Sequence, residues 1–319
     1  MAQELVIGID VGGQTTKCGV VDARGTVLAQ TVIRSDTYTV IEPYIAELAE
    51  ALNRIISEAK AEGLIRGIGV GAPNGNYYTG TIEYAPNLTW AGQKKIEFAR
   101  LLSEAMGGIP VSLTNDANAA AMGEMTYGAA RGMKNFIMIT LGTGVGSGIV
   151  IDGKVVYGHD GFAGELGHTC AVRHNGRACG CGKNGCLEAY CSAIGMARTA
   201  REWLEMSDEP SILRSLEKIT SKDIYDAAKE GDKVALKLFE FTGRMLGEKL
   251  ADFIEFSAPE AIVLFGGLAR SKEFLTEPIT KAMNENVLPL WRGKVKLVYS
   301  QLKESDAAIL GASSLAWEL

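Results

Sequence analysis

The chain has 319 residues, enough to build the cores of two ordinary domains without disulfide staples. With 47% hydrophobic and 22% charged residues and 38 glycines, it has a globular composition unusually rich in backbone turns. A formal net charge of -6 excludes a general binder of nucleic-acid backbones, and no stretch offers the ~18 unbroken apolar residues of a membrane helix.

The start, MAQELVIGID, has neither a basic region nor a long apolar core, so the expected location is the cytoplasm, without a membrane partner. The sequon at Asn87-Leu88-Thr89 is then a chance match. The apolar run at 5–9 predicts a strand that ends at Asp10 and passes through a glycine turn into a second strand ending at Asp22. Residues 22–25, DARG, close a hairpin into a third strand at 26–33. Pro43 stands in the first turn of a predicted helix whose Ile45, Leu48, Leu52, Ile55 and Ile56 recur at three- and four-residue spacing. A strand from Ile68, a helix at about 94–106, a strand at 109–113 and a small-residue helix from Asp116 follow.

Residues 136–156 repeat the layout of the beginning: apolar strand, Gly/Thr turn, apolar strand, Asp-containing turn, third strand. This predicts an internal duplication at the domain level. Helices around 222–256 lead to AIVLFGGLARS at 261–271, then a helix, the strand VKLVYS and a last helix from about Ser305. Alternation of strands and helices gives the α/β class.

No G-x4-GK-[ST] sequence is present, so a Walker-type phosphate loop is excluded. Two glycine turns after equivalent strands, at 10–16 and 142–148, can instead aim backbone N–H groups and Thr hydroxyls at phosphates. Asp10, closing a buried strand, is suited to hold Mg²⁺ through water, and Lys17 adds positive charge. A third turn, Gly266-Gly267 after an apolar strand, lets the backbone approach a flat adenine ring. Asn115-Asp116 opens a helix directly after a strand. There Asp116 is either a helix N-cap or a general base that takes a hydroxyl proton. Cys179, Cys181 and Cys186 with His168 form a Cys3His set adequate for structural Zn²⁺. No CxxC is present, which ranks redox chemistry low, and Cys18, Cys170 and Cys191 are expected to be buried small residues.

The order of these turns is similar to that of the sugar-kinase, actin and Hsp70 superfamily. IGIDVGGQTTKCGVV, LTNDANAAAMGE, LGTGVGSGIVIDGKVVYGHDGFAGELGH and CGCGKNGCLEAYCSA closely resemble the ROK family over essentially the whole chain. The resemblance implies a two-lobed, actin-like ATPase (ribonuclease H-like) α/β fold with duplicated lobes and an interlobe cleft. Residues 1–115 would form the smaller domain, with a helix at about 304–319 packing back on it, and 116–303 the larger domain with the zinc loop.

It further implies ATP-dependent phosphorylation of a hexose at the 6-hydroxyl, glucose first, using Mg²⁺ and structural Zn²⁺. Asp116 would be the catalytic base, and Gly75, Asn87, Asn115, Glu165, His168 and Glu188 the other sugar contacts. Asp10, Gly12, Gly13, Gln14, Thr15, Lys17, Gly142, Thr143, Gly144, Gly266 and Gly267 would meet the nucleotide. Gln14 stands where the family usually has Thr, and Thr15 and Thr16 are expected to supply hydroxyls in its place. His159 and His174 match no family position. A homodimer or homotetramer is the expected assembly. Kinases for N-acetylmannosamine, allose or fructose are the alternatives of the same chemistry. A ROK sugar-sensing repressor is the alternative of another class, and it is disfavoured because only four residues precede the first strand.

Overall fold

The computed structural model describes residues 4–319. The first half runs β1 (Leu5–Val11), β2 (Thr15–Val21), β3 (Val27–Arg34), α1 (Ile41–Glu58), β4 (Ile65–Ala72), β5 (Gly75–Asn76), β6 (Thr81–Glu83) and β7 (Lys95–Ile96). It continues with α2 (Phe98–Ala105), β8 (Val111–Asn115) and α3 (Asp116–Tyr127). The second half runs β9 (Phe136–Leu141), β10 (Val145–Ile151), β11 (Lys154–Val155), α4 (Glu188–Cys191), α5 (Ala193–Met206), α6 (Ser221–Lys229) and α7 (Lys233–Ser257). Then come β12 (Ala261–Phe265), α8 (Lys272–Asn286), β13 (Lys296–Tyr299) and α9 (Glu304–Ala316).

Two five-stranded sheets share one plan, β3-β2-β1-β4-β8 and β11-β10-β9-β12-β13. In the first, β1 pairs antiparallel with β2 and parallel with β4, which pairs parallel with β8. In the second, β12 lies parallel between β9 and β13, and β10 pairs antiparallel with β11. The matching strand order is the duplication read from the sequence.

Parallel pairing brings strand ends together. Asp10 is level with Gly71 and Ala72 with Asn115, so Asp10, Pro73 and Asp116 lie at one carboxyl edge of the first sheet. Ligands of open α/β sheets bind at such edges, because loops leaving parallel strands converge there.

β1 and β4 read as continuous apolar runs because both faces are covered. Tyr44, Leu48, Leu52 and Ile55 of α1 belong to the core cluster on one face. On the other face α9 approaches so closely that a Cβ on Gly8 would stand 2.0 Å from Ile309 O, and one on Gly69 1.9 Å from Ala312 O. Those strand glycines exist to admit a helix backbone.

By internal contacts the chain forms two compact units. One comprises the residues up to Met133, Gly148–Gly164 and Gln301–Leu319, and the other Lys134–Ser147 and Glu165–Ser300. The helix expected at about 94–106 is shorter, because Lys94 O accepts from Tyr84 N–H and Lys95 pairs in a strand with Glu83. α5 was not anticipated. Ser192 caps it, and its buried face is built largely of small residues, Gly195, Ala197, Thr199 and Ala200. Among the described residues no helix is long and apolar enough to cross a membrane.

Candidate active site

In the first unit the turn between β1 and β2 carries Gly12, Gly13 and Gln14. Gly12 N–H donates to Thr15 O at 3.0 Å, Ser35 N–H to Gln14 O at 2.9 Å, and Ser35 Oγ to Gly12 O at 2.6 Å. Gln14 is exposed, and Thr15 and Lys17 are half-buried. Thr16 departs from the expectation of an available hydroxyl. It is fully buried and its Oγ1 bonds Tyr44 OH at 2.7 Å, because alternation along β2 sends Thr16, Cys18 and Val20 into the core.

Gly13 leaves no room for a side chain, since a Cβ there would meet Asn87 O at 2.8 Å. The exposed Asn87 thus sits directly over the first turn. Gly75 is equally tight, with Thr114 O 2.4 Å from where a Cβ would be.

Of the two roles the sequence leaves open at this corner, the helix cap falls to Asn115 and not to Asp116. Asn115 is the N-cap of α3, its Oδ1 accepting from Ala117 N–H at 2.9 Å. Asp116 Oδ1 accepts from the same N–H at 2.8 Å. Asp116 keeps solvent-accessible surface, yet protein fills most of the space around it, so desolvation raises its carboxyl pKa above the usual range. Asp10 is pushed up to about 6, first by burial and then by the charge of Asp116, with Lys17 opposing. Two acids at one sheet edge therefore hold protons more tightly than free carboxylates do.

In the second unit the turn between β9 and β10 carries Gly142, Thr143 and Gly144. Gly142 N–H donates to Gly144 O at 3.0 Å, Gly146 N–H to Thr140 Oγ1 at 3.0 Å, and Val145 N–H to Glu188 Oε2 at 2.9 Å. Glu188 opens α4, two residues after Cys186. Its other oxygen, Oε1, lies 3.5 Å from Cys179 Sγ.

The four donor atoms of His168, Cys179, Cys181 and Cys186 lie within 4.8 Å of one another. Cys181 Sγ is 3.7 Å from Cys186 Sγ, and Cys179 Sγ is 3.7 Å from His168 Nδ1. Tetrahedral zinc with Zn–S bonds of about 2.3 Å needs S–S edges of about 3.8 Å, so donor set and spacing both fit Zn²⁺. The Nδ1 of His168 faces the cluster while Nε2 stands 4.0 Å from Glu165 Oε2. Cys18 and Cys191 are buried as expected, but Cys170 is exposed, lying in an isolated bridge opposite Cys186 on the loop's surface. His159 and His174 are exposed.

One residue that sequence reasoning missed organises this loop. Arg177, two positions before Cys179, is nearly buried and pairs with Glu202. It also donates to Ala189 O at 3.2 Å and Thr199 Oγ1 at 2.8 Å, and its guanidinium lies 4.5 Å from the centre of the Tyr190 ring. An arginine two residues ahead of the first cysteine of the set was the available signal. Its five donors suit it to tie loop carbonyls and a carboxylate at once.

The third turn follows β12. Gly266 has φ +102°, and a Cβ there would meet Leu141 O at 2.6 Å, so only glycine fits. Gly267 is exposed with nothing within 4 Å of its Cβ position. It borders a cavity of about 400 Å³ lined also by Tyr225, Asp226, Leu268 and Ser271.

A family profile described as ROK matches residues 6–318. The chain is 34% identical over 320 residues to a glucokinase of Halalkalibacterium halodurans, covering 99% of this chain and 96% of that one. A crystal structure of a Streptomyces griseus ROK family glucokinase in complex with glucose and AMPPNP is 32% identical, with a TM-score of 0.79 over 99% of this chain and all of that one. A ROK family transcriptional regulator, a homolog of the E. coli MLC protein, superposes with a TM-score of 0.88 at 27% identity. It is covered over 78% of its length.

Proposed function

This chain belongs to the ROK family, and from that premise we propose that it is an ATP-dependent glucokinase with the duplicated α/β fold of actin-like ATPases. The observation that carries the reading is the corner at the end of β8. Asn115 meets the capping need of α3 there, while Asp116 stands beside Asp10 with a raised carboxyl pKa.

The chemistry follows from these groups. As the sugar 6-hydroxyl oxygen attacks the γ-phosphorus, the bond from that phosphorus to the β–γ bridging oxygen breaks and ADP leaves, while the hydroxyl proton passes to the Asp116 carboxylate. A carboxylate with a raised pKa is the stronger base for that transfer. Asp10 and Lys17 line the phosphate side, where Asp10 would hold Mg²⁺ through water to offset phosphate charge. The turns at 12–15 and 142–144 supply backbone donors, and the Gly266-Gly267 turn beside its cavity supports an adenine site.

On the sugar side we assign Gly75, Asn87, Asn115, Glu165, His168 and Glu188, with Zn²⁺ held by His168, Cys179, Cys181 and Cys186 to stiffen the loop between them. We further assign the chain a cytoplasmic location and a homodimeric or homotetrameric state, which sedimentation of the purified protein tests. The kinase reading is preferred to a sugar-sensing regulator because identity is higher to glucokinases, 34% and 32%, than to the regulator, 27%.

A coupled assay over a hexose panel tests the substrate. Glucose should rank first, with mannose and N-acetylglucosamine lower by about one to two orders of magnitude in kcat/KM, since an altered hydroxyl leaves a polar partner unpaired once the bound sugar has displaced its water. Fructose should rank lower still. A tenfold preference for N-acetylmannosamine would overturn the glucokinase assignment and leave the kinase reading standing. Absence of ATP turnover together with specific retention of DNA would overturn both.

A further inference from the structure

The contact between Glu188 and the turn after β9 links two functions usually treated separately. Glu188 rides on the cysteine loop: Ala189 N–H donates to Cys186 O at 3.1 Å, and Arg177 donates to Ala189 O. Its carboxylate reaches across 43 residues to accept Val145 N–H. Within the turn, Gly142, Val145 and Gly146 N–H are committed to Gly144 O, Glu188 and Thr140 Oγ1. The Thr143 and Gly144 amides take no part in these bonds.

Steric fit gives a second, independent sign. A Cβ on Gly144 would lie 2.4 Å from Glu188 Oε2, so turn and carboxylate are fitted to each other. Gly142, two residues earlier, has nothing within 4 Å of its Cβ position. A side chain at 144 would therefore displace the Glu188 carboxylate from its place against Val145 N–H.

We propose that Glu188 is a positioning residue for the turn that receives the nucleotide's phosphates, so that affinity for a nucleoside diphosphate depends on the cysteine loop even without sugar. The inference rests on the reading of turn 142–148 as a phosphate site. Removing the carboxylate frees Val145 N–H and lets the turn relax, which separates the Thr143 and Gly144 amides from one common target. The same carboxylate then serves the sugar with whatever acceptor capacity the Val145 bond leaves.

Calorimetric titration of MgADP into sugar-free protein tests this. Glu188→Ala and Gly144→Ala should each weaken MgADP about tenfold, the cost of one charge-assisted bond that orders a site. Glu188→Gln should stay within about threefold of wild type, because its amide oxygen still accepts Val145 N–H, while glucose affinity falls in both Glu188 variants. Unchanged MgADP affinity in a folded Glu188→Ala protein that has lost glucose binding would overturn the proposal alone. A wild-type chain that binds glucose and no MgADP would overturn the phosphate reading and the proposal with it. If Glu188→Ala does not fold, amide exchange at Val145 decides. Protection that is kept in Glu188→Gln and lost in Gly144→Ala supports the role, and equal exchange in all three proteins overturns it.

Discussion

Between β1 and β2 the turn is fixed by main chain and hydroxyls, through Gly12 N–H to Thr15 O and Ser35 Oγ to Gly12 O, with Tyr44 holding Thr16 just beyond. Between β9 and β10 the equivalent turn is fixed by a carboxylate delivered from a distant loop, Glu188, and by the Thr140 hydroxyl. The sheets have the same strand order, so the difference lies in what was added to each plan after duplication. Hydroxyl and amide bonds of the first kind are indifferent to metal and to ionisation. The second depends on a loop whose shape is set by three thiols, an imidazole and Arg177. One turn is built in, and the other is held from outside.

The largest effect should fall in the unit that carries the first turn. Asp116→Asn should fold and lose roughly two to four orders of magnitude in kcat with little change in glucose affinity, since it removes a proton acceptor used only as the bond forms. Near-normal steady-state turnover would break the assignment of chemistry to this side.

Next comes the metal. Wild-type protein should carry one zinc per chain by elemental analysis. Cys181→Ser should lose it, with glucose affinity reduced about a hundredfold as the loop bearing Glu188 loosens. Hydrogen exchange should rise across 166–192 and stay unchanged in β1, β2 and β4. Equal loosening of both regions would erase the contrast drawn above.

A smaller effect is expected at Asp10. Its pKa in the folded protein, about 6, lies above the 3.8 of the free side chain. Its contribution to stability is thus full below pH 3.8 and lost as pH rises through about 6. Asp10→Asn should therefore raise the unfolding free energy at pH 7.5 by about 3 kcal/mol in protein free of Mg²⁺ and nucleotide. Urea titrations at pH 4 and pH 7.5 measure it, and a variant no more stable at the higher pH would contradict the burial of that carboxyl.

The smallest effect separates the glycines. Gly13→Ala should cost about 1 to 2 kcal/mol because its Cβ meets the Asn87 backbone, whereas Gly142→Ala should stay within about 0.5 kcal/mol, having open space around it. Thermal unfolding of the two variants without ligand compares them directly.

Much of the fold was legible because strands buried on both faces appear as apolar runs closed by glycine, as in β1, β9 and β12. β5 to β7 were not, since two or three residues carry no period, and neighbouring polar residues were absorbed into an overlong helix ahead of α2. The Cys3His set was legible from spacing because a tetrahedral metal needs those residue types close together. The Glu188–Val145 contact left no local trace, being a bond between a side chain and an amide far apart in the chain. Thr16 could have been read correctly, since its alternation with Cys18 and Val20 already marked the core side of β2.

The helix α9 has a consequence for how the chain is made. It covers the glycine face of β1 and β4, yet residues 304–316 leave the ribosome some 230 residues after β4, which ends at Ala72. At about 5 to 20 residues per second, those two strands wait on the order of ten seconds or more with one face open. The sheet encoded first is thus among the last to be closed, and the nascent chain must keep Val6 and its neighbours from pairing elsewhere until then. Any condition that slows elongation over the second half lengthens that exposure, so aggregation during synthesis should respond to translation speed even where the finished protein is stable.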